Sequence, residues 1–305
     1  MAKKSKRNSG PKPGANRAAK LEQRRLEREA AVAASTRPFE GLAFECDLVA
    51  LREFVPSALV DLPLTDEGRK IVGATILPGG VAALAREEDD ETVAYVGLQL
   101  ASGYGPDPAG ELAAAIEWAR TAEPGSSLQT ATVDDDTPRL QDLLDANVVP
   151  PITVHNDFNW WIPAGVEPSQ DIAHTVQHAN SAVLPSARLN GDGLVGAWWV
   201  DPGEKAHLRW VRPEDEDALM AALSRVHAAG GLHLGEGSRF AGSFRTHGLL
   251  VPVFDLDREK HADEWVEPAL ELGARLDAAL AVDEPLTTAE LRSRDGIRSR
   301  QITLR

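Results

Sequence analysis

Charge is sorted along this chain, and the sorting limits both what can fold and what the folded part can touch. Residues 1–30 hold ten Lys/Arg and three Glu, a net of +7, and the last fifteen hold five Arg and Asp295, a net of +4. The whole chain of 305 residues carries −15, which leaves −26 for residues 31–290. A body of that sign repels phosphate backbones and anionic membranes, so any nucleic-acid contact is assigned to the ends.

The basic end has a composition of its own. Residues 1–37 contain no aromatic residue and consist largely of Lys, Arg, Ala, Gly, Pro and Ser. Lys3 to Gly14 reads as disordered coil, broken by Pro11, Pro13 and Gly14. Ala15 to Ala34 reads as a charged helix, with Glu22–Arg25 and Arg25–Glu29 at i,i+3 and i,i+4. Its apolar stripe of Ala19, Leu26, Ala30 and Ala33 is too thin to dock strongly. The expectation is a disordered to helical basic arm. Its candidate contacts to an anionic partner are Lys3, Lys4, Lys6, Arg7, Lys12, Arg17, Lys20, Arg24, Arg25 and Arg28. Without aromatic neighbours these cations suit phosphate contact, not base stacking. A solubilising tail, or one folded back on the acidic body, fits the same residues.

The remainder is apolar enough, at 43 % over the whole chain, to build a sizeable core. A single cysteine, Cys46, excludes an internal disulfide and any multi-cysteine metal site, and its apolar surroundings mark it as a small buried hydrophobe. No stretch approaches about 18 consecutive apolar residues, so no membrane-crossing helix is expected. No apolar run follows the basic start as in a secretory signal, and the expected location is the cytoplasm.

Periodicity predicts a helix from Asp47 to Phe54, then strands Ile71–Leu77 and Val81–Arg86 joined as a hairpin by Pro78-Gly79-Gly80. A strand Thr92–Leu100 follows, then an amphipathic helix Asp107–Thr121 with Leu112, Ile116 and Trp118 inward. A short helix from Asp136 to Ala146 and a strand Ile152–Ile162 complete the first half. Several of these features recur in order. Asp47-Leu48 has a counterpart in Asp171-Ile172, Val72-Gly73-Ala74 in Val195-Gly196-Ala197, and Ala94-Tyr95-Val96 in Ala206-His207-Leu208. Leu112 and Ile116 match Leu219 and Leu223, and Val148–Ile152 matches Leu249–Val253. The reading is an internal duplication: two tandem, diverged α+β units with antiparallel or mixed sheets, at 38–166 and 167–305, behind the arm at 1–37. The second unit ends in a long helix His261–Leu280, a helix Leu286–Ser293 capped by Thr287 or Thr288, and an edge strand Gln301–Arg305.

Few residues suggest chemistry. His174 and His178 fall four apart on one helix face, but Thr175 stands where zinc hydrolases place Glu, so surface histidines are expected. Gly235 to Gly242 resembles a phosphate-cradling loop with Arg239 beside it, but its proposed repeat partner, Asp134 to Pro138, is an acidic cap. Both are read as the start of a short helix, capped by Ser238 and Thr137. Asp134–Asp136, and Asp255 with Asp257, could hold a hard cation but fit no calcium-loop spacing; surface caps are the plainer reading. A candidate ligand platform comprises His155, Asp157, Trp160, Trp161, Trp198, Trp199 and Arg239, its tryptophan pairs in strands with one ring inward and one outward. No nucleophile elbow or Ser/His/Asp order appears, and no catalytic, cofactor or metal residue is assigned.

The Lys-rich start, the lysine-poor body, and the segments Val72–Thr75, His155–Trp161 and Val195–Trp199 resemble an actinobacterial family of unknown function. Members carry transferred labels such as preprotein translocase or topoisomerase, and the motifs here match neither. There is no Walker lysine loop, no cysteine-rich tail and no DNA-cleavage centre. The resemblance supplies no catalytic residues. The leading expectation is a non-enzymatic binding protein whose arm contacts nucleic acid, the ribosome or an acidic partner. The alternative is an enzyme or small-molecule binder with its site between the units, near Trp160 and Trp198 or the Gly235–Gly242 loop. Oligomeric state is not legible.

Overall fold

The computed structural model describes residues 37–103 and 105–300. The arm cations at positions 3 to 28 and the expected edge strand Gln301–Arg305 lie outside these residues. The described chain is an α+β fold of two sheets. The first half contributes α1 (Glu45–Glu53), β1 (Ala58–Asp61), β2 (Ile71–Ala74), β3 (Ala83–Glu88), β4 (Glu91–Gly97), α2 (Pro108–Thr121), β5 (Ser127–Leu128), α3 (Leu140–Leu143) and β6 (Ile152–Val154). The second contributes α4 (Gln170–Ser181), β7 (Ser186–Arg188), β8 (Ala197–Val200), β9 (Ala206–Trp210), α5 (Glu216–Ala228), β10 (Ser238–Thr246), β11 (Leu249–Leu256), α6 (Val266–Leu280) and α7 (Thr288–Arg298).

The first sheet runs β5-β3-β4-β2-β1-β6 and the second β10-β11-β9-β8-β7. The second is antiparallel throughout, whereas β2 and β4 pair in parallel. This corrects the expected hairpin at Pro78-Gly79-Gly80. That segment is a single 3-10 turn that carries the chain past β4, so β2 and β3 flank β4 instead of pairing. Gly80 is needed there: it has φ +63°, and a Cβ would sit 2.8 Å from the Ala101 backbone nitrogen. The true hairpin is β3–β4, closed by Asp89 and Asp90 at φ 48° and 65°, the left-handed pair of a tight two-residue turn. Aspartate tolerates that region better than most residues.

Elements that the sequence paired occupy related places at first and then diverge. β2 and β8 each lie beside the strand that follows the opening helix, and β4 and β9 each lie on their other side. The segments at Val148–Ile152 and Leu249–Val253 do not correspond in position: the former leads into edge strand β6, the latter opens β11 in the sheet interior. The predicted strand Ile152–Ile162 ends at Val154, and the short helix after Asp136 starts only at Leu140. Both expected C-terminal helices are present, the first opening as a 3-10 turn Ala262–Trp265 and the second running on past Ser293 to Arg298, with Thr287 and Glu290 forming a reciprocal capping box.

Helix α1 is the keystone. Eight of its nine residues, Glu45 to Arg52, are buried. It shares one core with Ala58, Val60, Ala94 and Val96 of the first sheet and with Trp198, Val200, Val251 and Val253 of the second. Strand alternation separates this core from the next. In β8, Trp198 and Val200 face α1, while Ala197 and Trp199 face a core built with α5 and α6. A third, smaller cluster, including Val72, Leu77 and Tyr95, lies on the outer face of the first sheet.

Candidate functional site

The segment after β6 closes that outer cluster. Asn159–Trp161 turns as a 3-10 helix behind Phe158, and both backbone and side chains find partners there. Trp160 donates its indole N–H to Ser57 Oγ at 2.9 Å, and Trp161 donates to the Ile76 carbonyl at 2.9 Å. Arg86 donates to the carbonyls of Trp161 and Trp160 at 2.8 and 3.0 Å. The Trp160 ring stacks on Tyr95 at 6.4 Å and lies 6.2 Å from His155. Burial, and then a hydrogen bond to Glu88, pushes the Tyr95 hydroxyl up to about 12. Asp157 caps the turn by accepting from the Asn159 N–H at 3.0 Å. The tips that would greet a ligand are thus engaged in holding a lid on the sheet. His155 Nε2 is buried here without a hydrogen-bond partner.

The tryptophans of β8 belong elsewhere. Trp198 is fully buried and donates to Asp47 Oδ1 at 3.1 Å. Arg188 grips the same carboxylate with Nε–Oδ1 3.0 Å and Nη2–Oδ2 2.8 Å. Asp47 is 0 % exposed, so this three-part cluster neutralises a charge inside the protein. Trp199 faces the other way, its indole N–H buried without a partner. Near Arg188 the edge strands β6 and β7 approach each other and leave a cavity of about 620 Å³, lined in part by Pro151, Asn156, Ser186, Asn190 and Asp263. Three of the Arg188 N–H groups are already bonded, two to Asp47 and one to Asn190, and its charge is met by the Asp47 carboxylate. The cavity offers amide, hydroxyl and carboxylate groups to a small polar molecule.

Arg239 stands apart from both tryptophan pairs, on β10. The Gly235–Gly242 loop does not start a helix: Ser238 opens β10, and its hydroxyl accepts from the Leu234 N–H at 2.7 Å and donates to the Gly235 carbonyl. Its geometry serves a turn into a strand, so the capping role read from the sequence is corrected. Arg239 and Lys205 pair with Asp255 at 2.6 and 3.0 Å. Burial alone would raise the Asp255 carboxyl, but the bonds from Arg239 and Lys205 outweigh it and hold it below the usual range. His207 lies directly across the ladder, its Nδ1 3.3 Å from Asp255 Oδ1, and burial lowers its pKa against that carboxylate's pull.

Thr137 Oγ1 accepts from the Asp134 N–H at 3.0 Å in a local turn, but the short helix begins at Leu140 behind Arg139 with no side-chain cap, so the capping role read for Thr137 is corrected as well. His174 and His178 both sit exposed on α4. Among the described residues no group of three or more His, Cys, Asp or Glu is placed to hold a metal ion, and no helix is long and apolar enough to cross a membrane. A second cavity, about 550 Å³, lies between α5, α6 and the start of α7, with Val226, Ala278, Val282 and Pro285 on its walls.

Sequence reasoning missed the Asp47–Arg188–Trp198 cluster. Its signal was present: a carboxylate embedded in the apolar run Phe44 to Leu51 must find a cation inside. The structure also fixes where the arm departs. Arg37 donates to Glu45 through Nε and Nη2 at 2.7 and 2.6 Å, and its backbone packs against Gly248 in the β10–β11 turn. No curated protein and no solved structure matches the chain. A family model does match, over residues 38–305, so the chain belongs to a family of unknown function, DUF5926.

Proposed function

We propose that this is a non-enzymatic cytoplasmic binding protein whose basic arm holds the phosphate backbone of nucleic acid, the ribosome's RNA included. The observation that carries the reading is the charge division: +7 in residues 1–30 against −26 in residues 31–290. The acidic body disfavours phosphates, so the contact falls to the basic ends, and the arm, with ten cations against five in the last fifteen residues, is the larger of the two. Two features of the body support a carrier role. The aromatic residues that would make a platform are committed to the fold, with both indole N–H groups of Trp160 and Trp161 bonded inside it. The arm also leaves from an anchored point, Arg37 on Glu45. The similar opening succession of helix and neighbouring strands supports reading the body as two diverged units, 38–166 and 167–305.

Fluorescence anisotropy with a mixed-sequence single-stranded RNA tests this. The full chain is expected to bind at low salt, and a chain of residues 38–305 is expected to bind at least tenfold more weakly. Equal binding by the two chains would refute the proposal.

A further inference from the structure

The helix least covered by the rest of the fold is α4. Of its twelve residues only Val176 is buried. Ile172 is 51 % exposed, and Val166 and Leu184 in the flanking segments are 53 % and 38 % exposed. The C-terminal half is moored: Asn180 accepts from the Phe158 N–H at 2.6 Å and donates to Asn159 at 3.0 Å. Ser169 caps the other end, accepting from the Ile172 N–H at 3.4 Å. A helix this short is marginal in water without a packed face, so its exposed apolar residues call for a cover.

Charge indicates what the cover is. Residues 172–187 contain no Asp, Glu, Lys or Arg, and at 16 residues this is the longest such run in the chain. The next longest, 71–85 and 92–106 with 15 each, supply β2, the start of β3 and most of β4, which are largely buried strands. Here the uncharged run is on the surface instead. A basic partner would be met best by the acidic residues that abound elsewhere on the body. An acidic partner would be met by cations. A two-fold contact between copies sets each patch against itself, so any charge in it is doubled and repels. On a body of −26, an uncharged face is where a second copy can dock.

We infer that α4 and its flanks form a homodimer contact, with α4 of one copy against α4 of another across a two-fold axis. Ile172 is the central apolar anchor and Leu184, also within the uncharged run, widens the patch, whereas Val166 lies beyond Glu167 and Asp171 and stays outside it. The widening matters because a stable interface buries about 800 Å² per partner, more than one short helix face supplies.

Sedimentation equilibrium of the full-length chain tests the inference. The wild type is expected to dimerise, and the dimer is expected to tighten as salt rises from about 0.01 M to about 0.1 M, because the Debye length falls from about 30 to about 10 Å and screens body–body repulsion. Ile172→Asp and Ala173→Glu are both expected to weaken the dimer at least tenfold with unchanged thermal melting of the dilute protein, since both residues are exposed. Val282→Asp, in the groove between α5 and α6, is expected to leave it intact. A wild type that stays monomeric, including one that captures a different protein through α4, overturns the inference. So does a dimer that survives both α4 substitutions, one lost in Val282→Asp, or one that salt loosens, which would instead be the arm bound to a neighbour's body.

Discussion

At the scale of single residues, the fold depends on a charge it hides. Asp47 is held by two guanidinium bonds and one indole bond in the core between the sheets. Removing one partner of such a pair leaves the other buried and uncompensated, which costs about 3–5 kcal/mol. Arg188→Met, which leaves the fully buried Asp47 without its cation, is therefore expected to lower unfolding stability by about that amount in urea titration, whereas Trp198→Phe, which leaves the ion pair intact, costs less. A loss under about 1 kcal/mol in Arg188→Met would show that the pair contributes little. Asp255 gives a pH-dependent counterpart. Its folded carboxyl lies below the usual carboxylate range, so its contribution is present above the unfolded value of about 3.9 and disappears as pH falls through the depressed folded value. The stability difference between wild type and Asp255→Asn is expected to be largest near neutral pH and to close in strong acid. A difference that grows towards acid would contradict the assignment. Cys46, by contrast, is chemically quiet, because burial pushes its thiol up to about 12.

At the scale of elements, what the sequence announced was periodicity, and what it concealed was pairing. The helix Pro108–Thr121 was legible from its apolar spacing, and the structure adds Asp107 as its cap, accepting from the Gly110 N–H. The His155–Trp161 segment was not. Its aromatic density reads as strand, yet its indole N–H groups bond Ser57 and Ile76, its Phe158 N–H bonds Asn180, and its carbonyls accept from Arg86, residues remote in the chain. No local pattern encodes such partners. The β3–β4 turn was hidden for a different reason: Pro78-Gly79-Gly80 is the stronger turn signal, while Asp89-Asp90 adopts a left-handed pair without glycine. That choice leaves stability unrealised. Replacing Asp89-Asp90 with Asn-Gly, the pair favoured in this turn, is expected to stabilise the protein by up to about 1 kcal/mol in thermal or urea melts. Destabilisation would mean that the two carboxylates serve a partner.

At the scale of the whole molecule, charge was legible from the sequence and architecture only partly so. The α+β class, the acidic body and the basic ends follow from composition and periodicity. The sharing of one core by both sheets around α1 does not, because it depends on which apolar residues meet across more than a hundred positions of chain, as Asp47 and Arg188 do at a separation of 141. The candidate platform was likewise divided by topology: His155, Asp157, Trp160 and Trp161 sit together, Trp198 and Trp199 face opposite cores in the other sheet, and Arg239 belongs to the Asp255 cluster. The proposed contact with a polyanion is therefore left to the arm, whose ten cations stand outside the described residues.

The salt dependence of RNA binding examines that claim most directly. For single strands the logarithm of affinity falls against the logarithm of salt with a slope of about −0.7 per phosphate neutralised. The full chain is expected to give a straight line with a slope between about −3 and −7, reflecting four to ten engaged cations at that increment, and residues 38–305 should give no measurable binding to plot. A slope near zero for the full chain, or the same slope for both chains, would contradict an arm that works through phosphate charge.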